Sequence, residues 1–199
     1  MKKGIGLFFF AFILTATSID ARECNKLPGS GVLPYALNEK GEVKILLAHD
    51  NNGYWSSLGG SRKYVHSVNN PKPRCETAQE TAVREGWEES RHILTKEMLK
   101  SSIPTAKTLP SNPKQSDFIT YLVKVELFDL SPYKDVYVVE GSSSAETNLL
   151  FWADLRELRK FASGENGSFS TPNNKPLRSV FWKPFKSFLN SQNINVFRK

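Results

Sequence analysis

The chain has 199 residues, 39% of them hydrophobic and 24% charged, a composition that excludes a disordered chain and is long enough for one domain with a sizeable core. Lys and Arg number 27 against 20 Asp and Glu, a formal net charge of +7. That surplus suits an anionic partner such as a phosphorylated small molecule, a nucleic acid or a membrane surface, and it suits equally a basic surface with no specific partner.

Lys2 and Lys3 precede an apolar run from Ile5 to Leu14, followed by the small residues Thr15, Ala16, Thr17, Ser18 and Ala21. This is the order of a secretory signal peptide, and the run is shorter than the roughly 20 residues a bilayer span needs. Residues 1–21 are therefore read as a leader, with cleavage after Ala21 or Ser18, and residues 22–199 as a single domain of a secreted or periplasmic protein. An uncleaved anchor is the other reading. Arg22 and Glu23 stand between the small residues and Cys24, so no lipoprotein signal is read. Cys24 and Cys75 are the two cysteines. Secretion permits a bridge between them that pins the N-terminal segment near residue 75, and two free thiols remain equally open.

Val32–Leu37 and Val43–His49 read as strands separated by the turn Asn38-Glu39-Lys40-Gly41. Asp50-Asn51-Asn52-Gly53 is a second turn, and Tyr54–Gly60 a short strand ending in a glycine pair. Residues 61–75 read as a polar, basic loop whose prolines, Pro71 and Pro73, suit a helix entry. The helix is expected from about Glu76 to Arg91, with Ala78, Ala82, Val83 and Gly86 as a narrow stripe for close packing on a sheet. Phe118–Phe128, Val136–Glu140 and Leu149–Trp152 are further strands, Asp154–Phe161 a helical turn or two, and Val180–Leu189 an aromatic-rich closing helix. Gly141–Ser144 and the Gly/Ser/Asn-rich stretch Ser163–Asn174 read as loops. The expected fold is α+β: a mixed β-sheet sandwiched between α-helices.

The chemistry concentrates on that helix. Glu85, Glu88 and Glu89 stand at i, i+3 and i+4, so three carboxylates share one face. Like charges packed this way need something positive among them, and Mg²⁺ or Mn²⁺, which takes carboxylate oxygens, water and substrate phosphate, is the economical answer. A solvated charged face is the plainer reading. Arg84 is within reach of Glu80, of Glu88, or of Glu76 at the helix entry.

The array Glu76-x7-Arg84-Glu85-x2-Glu88-Glu89 resembles the Nudix box, whose pattern is Gly-x5-Glu-x7-Arg-Glu-apolar-x-Glu-Glu-x-Gly-apolar. Trp55–Gly60 is similar to the strand through which that family enters its box, and the resemblance covers about residues 30–190. It implies an α/β/α sandwich that hydrolyses the pyrophosphate bond of a nucleoside diphosphate derivative or related small molecule. It implies Glu85, Glu88 and Glu89 as ligands of Mg²⁺ or Mn²⁺, with Glu85 also the general base and Glu140 and Glu146 as runners-up for that role. Glu76, Arg84, Gly59 and Gly60 would support the site. The chain departs from the pattern in three places. Residues 61–75 separate Gly60 from Glu76 where the family has five residues; Gly86 replaces a larger apolar residue; Arg91 replaces the glycine that ends the helix.

Within the inserted stretch, Arg62, Lys63, Lys72 and Arg74 suit a phosphate clamp or a solubilising loop. Trp55, Trp87, Trp152 and Trp182 are aromatic faces able to stack a base, with Trp152 and Trp182 placed as core. Asn166-Gly167-Ser168 fits a glycosylation acceptor. His49, His66 and His92 have no metal-ligand spacing. No basic-aromatic platform marks a nucleic-acid binder. The competing function is a catalytically inactive Nudix-like module that binds a nucleotide or a protein partner.

Overall fold

Side chains alternate across a strand, and in this chain both alternating sets are apolar, so the strands need cover on two sides. In Ser30–Leu37 (β1), Val32 faces one way while Leu33 and Tyr35 face the other; in Val43–Asp50 (β2), Leu46 and Ala48 oppose Ile45 and Leu47. The computed structural model describes residues 21–67, 70–110, 117–133, 147–165, 168–191 and 193–198. Residues 1–20, the proposed strand Val136–Glu140, the loop Gly141–Ser144, the acids Glu140 and Glu146, and Asn166 and Gly167 lie outside them.

A short helical turn, Ala21–Cys24 (α1), opens the described chain. β1 and β2 pair antiparallel with Tyr35 opposite Ile45. The short strands Trp55–Ser56 (β3) and Leu58–Gly60 (β4) return to pair with β2 and with the start of β1. Tyr64–Ser67 (β5) and Asn70–Cys75 (β6) form a separate antiparallel ribbon. Lys107–Thr108 (β7) pairs with Ile119–Lys124 (β8), which lies parallel to β1 with Val32 opposite Tyr121. Thr147–Asp154 (β9) pairs antiparallel with β2. Among the described residues, the result is a seven-stranded mixed sheet.

Helices cover both faces. Ala78–Glu89 (α2) and Lys96–Ser102 (α3) pack with Val32, Leu46, Ala48, Leu58, Tyr121 and Val123. Leu155–Ser163 (α4) and Ser179–Asn190 (α5) pack on the other face against Leu33, Ile45, Leu47 and Leu122, with Phe181, Phe185 and Phe188 at the centre. Full burial of side chains of this size stabilises by about 1.5–3 kcal/mol each. The expected α+β sandwich is the observed one. Among the described residues, no helix is long and apolar enough to cross a membrane.

Two local expectations are corrected. The stretch 61–75 is not a loop: most of it is the β5/β6 ribbon, and Pro71 and Pro73 lie within β6 rather than at a helix entry. A two-stranded ribbon has only edges, where a missing N–H is tolerated. The helix itself starts later and ends earlier than Glu76–Arg91. Thr77 caps it, Oγ1 accepting from Glu80 N at 3.2 Å while the Glu80 carboxylate accepts from Thr77 N at 2.8 Å. This reciprocal capping box contributes about 1 kcal/mol. The helix α3, capped by Thr95, has no counterpart in the sequence reading.

Candidate active site

The small-residue stripe determines how α2 sits. Ala82 is fully buried, and a Cβ built on Gly86 would lie 2.8 Å from Val32 Cγ2 and 3.1 Å from Leu99 Cδ1. The glycine that departs from the family pattern lets α2 pack closely on β1 and α3. The opposite departure has the reverse character. Arg91 and His92 both adopt the left-handed φ of a helix terminus, at 55° and 66°, a region that costs residues other than glycine about 1–2 kcal/mol each. Arg91 N donates to Glu88 O and His92 N to Trp87 O, so the helix still ends in a closed turn.

Seated this way, α2 turns its three carboxylates toward β4. Glu85, Glu88 and Glu89 are 6%, 8% and 9% exposed, so the plain reading of a solvated charged face does not describe them. Gly59 N donates to Glu89 Oε2 at 2.6 Å. A Cβ on Gly60 would collide with the Glu85 carboxylate, so the glycine pair forms a wall of bare backbone against the acids.

Positive charge among the acids comes from the chain. Arg84 Nη1 donates to Glu85 Oε1 at 2.5 Å and to Glu88 Oε2 at 3.1 Å, and Lys63 Nζ lies 3.5 Å from Glu88. The rest of Arg84 grips Glu76: Nε donates to Oε1 at 2.7 Å and Nη2 to Oε2 at 2.8 Å, with Ser61 O as a further acceptor. Of the partners within reach by spacing, Arg84 takes Glu76 and Glu88, while Glu80 is held by Arg74 through two bonds of 2.6 Å. Glu76 also accepts from Lys63 N and Thr81 Oγ1. Burial works against the Glu76 carboxylate, yet Arg84 and the Lys63 N–H hold it below the ordinary range. Burial dominates at Glu85 and pushes its carboxyl up despite Arg84 beside it.

These acids open on a cleft of about 510 Å³. Gly59, Gly60, Arg62 and Lys63 line it with Glu85, Glu88 and Glu89; Arg74, paired with Glu80, is not among the lining residues. Arg62 lines the cleft but is tied to Pro28 O at 2.8 Å. None of the four tryptophans lines it. Trp55 is core, Trp87 stacks on His92 at 3.8 Å, Trp152 bonds to Phe128 O, and Trp182 stacks on Phe161. A second, apolar cavity of about 550 Å³, walled by Phe128, Phe151 and Trp152, shares no residue with the cleft and holds one acid, Asp129.

The cleft also contains residues that the sequence did not single out for chemistry: Asn25, Asp50, Asn51, Asn52, Ser61 and Arg178. Asp50–Asn52 carried only a turn signal. Arg178 carried no local signal at all, because it reaches the cleft through the pairing of Trp55 with Leu177. Cys24 and Cys75 are joined, which ties the segment bearing Asn25 to the residue before Glu76.

Among the described residues, no three His, Cys, Asp or Glu side chains converge as a ligand cluster; the three carboxylates are turned instead to Arg84, Lys63 and Gly59. The chemistry of the donor set still fits a hard divalent ion: three carboxylates, oxygen only, shielded from bulk water on one helix face.

No sequence-family model matches the chain, and no curated protein matches it. Solved structures similar to it include an Ap4A hydrolase from C. elegans in a binary complex, with 21% identity over 81% of this chain and 98% of that one and a TM-score of 0.41. A NUDIX hydrolase from Alicyclobacillus acidocaldarius has 12% identity over 84% and 94%, at 0.44. An ADP-ribose pyrophosphatase from Streptococcus suis has 15% identity over 82% and 89%, at 0.35. At these scores they assign no role to any residue here. What carries chemical weight is the geometry of the chain itself and the resemblance of its glutamate array to the Nudix box.

Proposed function

We propose that the chain is a Nudix-type hydrolase that uses Mg²⁺ or Mn²⁺ to cleave a pyrophosphate bond in a small phosphorylated substrate such as a nucleoside diphosphate derivative. The carrying observation is the buried triad Glu85, Glu88 and Glu89 set against the bare backbone of Gly59-Gly60 in one cleft. The acids suit the ion as ligands, and when bound it supplies Lewis acidity and offsets phosphate charge. Glu85, raised by burial, accepts the proton of the attacking water as the water oxygen bonds to phosphorus and the bridging P–O bond breaks, its electron pair leaving with the departing phosphate. Lys63, half exposed at the rim, swings from Glu88 to a substrate oxygen. Arg84 and Glu76 hold the helix face in register. The leader read in residues 1–21 and the joined Cys24–Cys75 pair support action in an oxidising compartment.

The test is a panel of dinucleoside polyphosphates, nucleotide sugars, dinucleotide cofactors and nucleoside triphosphates with Mg²⁺ and Mn²⁺. Glu88→Gln and Glu89→Gln are each expected to abolish metal-dependent phosphate release, as is a chelator. Unchanged turnover in both variants would falsify the reading. The pairing of the carboxylates with Arg84 and Lys63 favours one alternative, a binding module with the fold but not the chemistry; tight ligand binding without hydrolysis across the whole panel would establish it.

A further inference from the structure

The cleft draws Glu85, Glu88 and Glu89 from one layer of the sandwich and one of its cations, Arg178, from the other. Residue 178 is held by its backbone: Arg178 N donates to Trp55 O at 2.8 Å, and Trp55 N donates to Pro176 O at 2.9 Å. Trp55 is fully buried, and its Nε1 donates to Asn173 Oδ1 at 2.8 Å, so the anchor is part of the core. The side chain is aimed as well. Arg178 Nη1 lies 3.0 Å from Asp50 Oδ2, and Asp50 is locked from behind, its Oδ1 accepting from Asn52 N and Tyr54 N. The guanidinium side chain nevertheless stays 44% exposed, on the cleft.

The other cations at the cleft have work already. Arg62 Nε and Nη1 are directed at the backbone oxygens of Pro28 and Glu76, and Lys63, which sits over Glu88, goes to an oxygen of the scissile unit. Among the described residues, the Arg178 side chain has one ion-pair partner, Asp50, reached through Nη1. A planar guanidinium offers paired N–H donors that match two phosphate oxygens, and it keeps its charge at any working pH.

We propose that Arg178 is a specificity-determining residue that holds a phosphate beyond the scissile pair, so that the preferred substrates carry three or more consecutive phosphates. This rests on the reading above that the glutamate face takes the pyrophosphate unit. Asp50 acts as the resting partner that keeps the guanidinium aimed until a phosphate takes its place.

The test compares tripolyphosphate with pyrophosphate as probes for the full chain with Mg²⁺, by calorimetric binding, and a nucleoside triphosphate with a nucleotide sugar by kcat/KM. The wild type is expected to favour the three-phosphate member of each pair. Arg178→Ala should reduce that preference about tenfold or more, the range for losing a hydrogen bond to a charged group. Arg178→Lys should recover part of it. Alanine keeps the backbone bonds to Trp55, and a ratio of two ligands on one protein is insensitive to the fraction folded. An absent preference in the wild type, or one unchanged in Arg178→Ala, overturns the proposal. Failure of every substrate to hydrolyse would count against the proposed reaction, while the binding ratio would still decide the role of Arg178.

Discussion

Gly86 shows how one residue serves both packing and chemistry. Glycine in a helix interior costs up to about 1 kcal/mol relative to alanine, yet here any side chain meets Val32 and Leu99. Gly86→Leu, which restores the size the family pattern carries at this place, is expected to destabilise by about 1–3 kcal/mol through overpacking. Denaturant midpoints compare the two proteins, and an equal or higher midpoint for the variant would refute the packing argument. The three glutamates were legible in the sequence because helical spacing alone puts them on one face. The partner of Arg84 was not, since three acids lay within reach. The β6 strand settles it by delivering Glu76 to the guanidinium and leaving Arg74 to occupy Glu80.

At the level of elements, periodicity found most of the sheet and α2, while punctuation misled. Pro71 and Pro73 suggested a helix entry and lie in a strand; the helix start was encoded instead by Thr77 and Glu80, the spacing of a capping box. Asp154 plays the same part at α4, and more. Its carboxylate accepts from Arg156 N at 2.8 Å and from Lys44 Nζ at 2.9 Å, joining the helix start to β2. Burial alone would raise its pKa, but Arg156 and Lys44 hold it well below the ordinary 3.8. A carboxylate lowered by folding contributes stability that is complete above its unfolded value and is lost as pH falls below it. Stability should therefore decline as the pH drops below about 4. Asp154→Asn keeps a cap but lacks the charge, and should lose less over that range. Asp154→Ala should cost about 1 kcal/mol at neutral pH through the cap alone. Thermal unfolding from pH 7 to 3 reads both effects, and parallel pH curves for wild type and Asp154→Asn would rule out the linkage.

Across the whole molecule, the sequence indicated two covered faces of a mixed sheet but not what closes the cleft. The Cys24–Cys75 bridge, spanning 51 residues, illustrates why: either redox state was compatible with the sequence, since distance is not written there. In the chain-entropy account, a closed loop of this length stabilises by about 4 kcal/mol. The double variant Cys24→Ser/Cys75→Ser should lose stability on that order, measured by denaturant unfolding. A loss below about 1 kcal/mol would show that the native contacts, not the tether, hold the segment. The parallel pairing of β1 with β8 has a different consequence, one for the order in which the protein is made. A growing chain that has just left the ribosome with Glu89 exposed already carries every acid of the site. It still lacks the strand that flanks β1, the helices that cover the far face, and Arg178. Within the cell, the motif is therefore synthesised well before the site can assemble. A shortened product that ends between the two would display the glutamate motif without a cleft in which to use it.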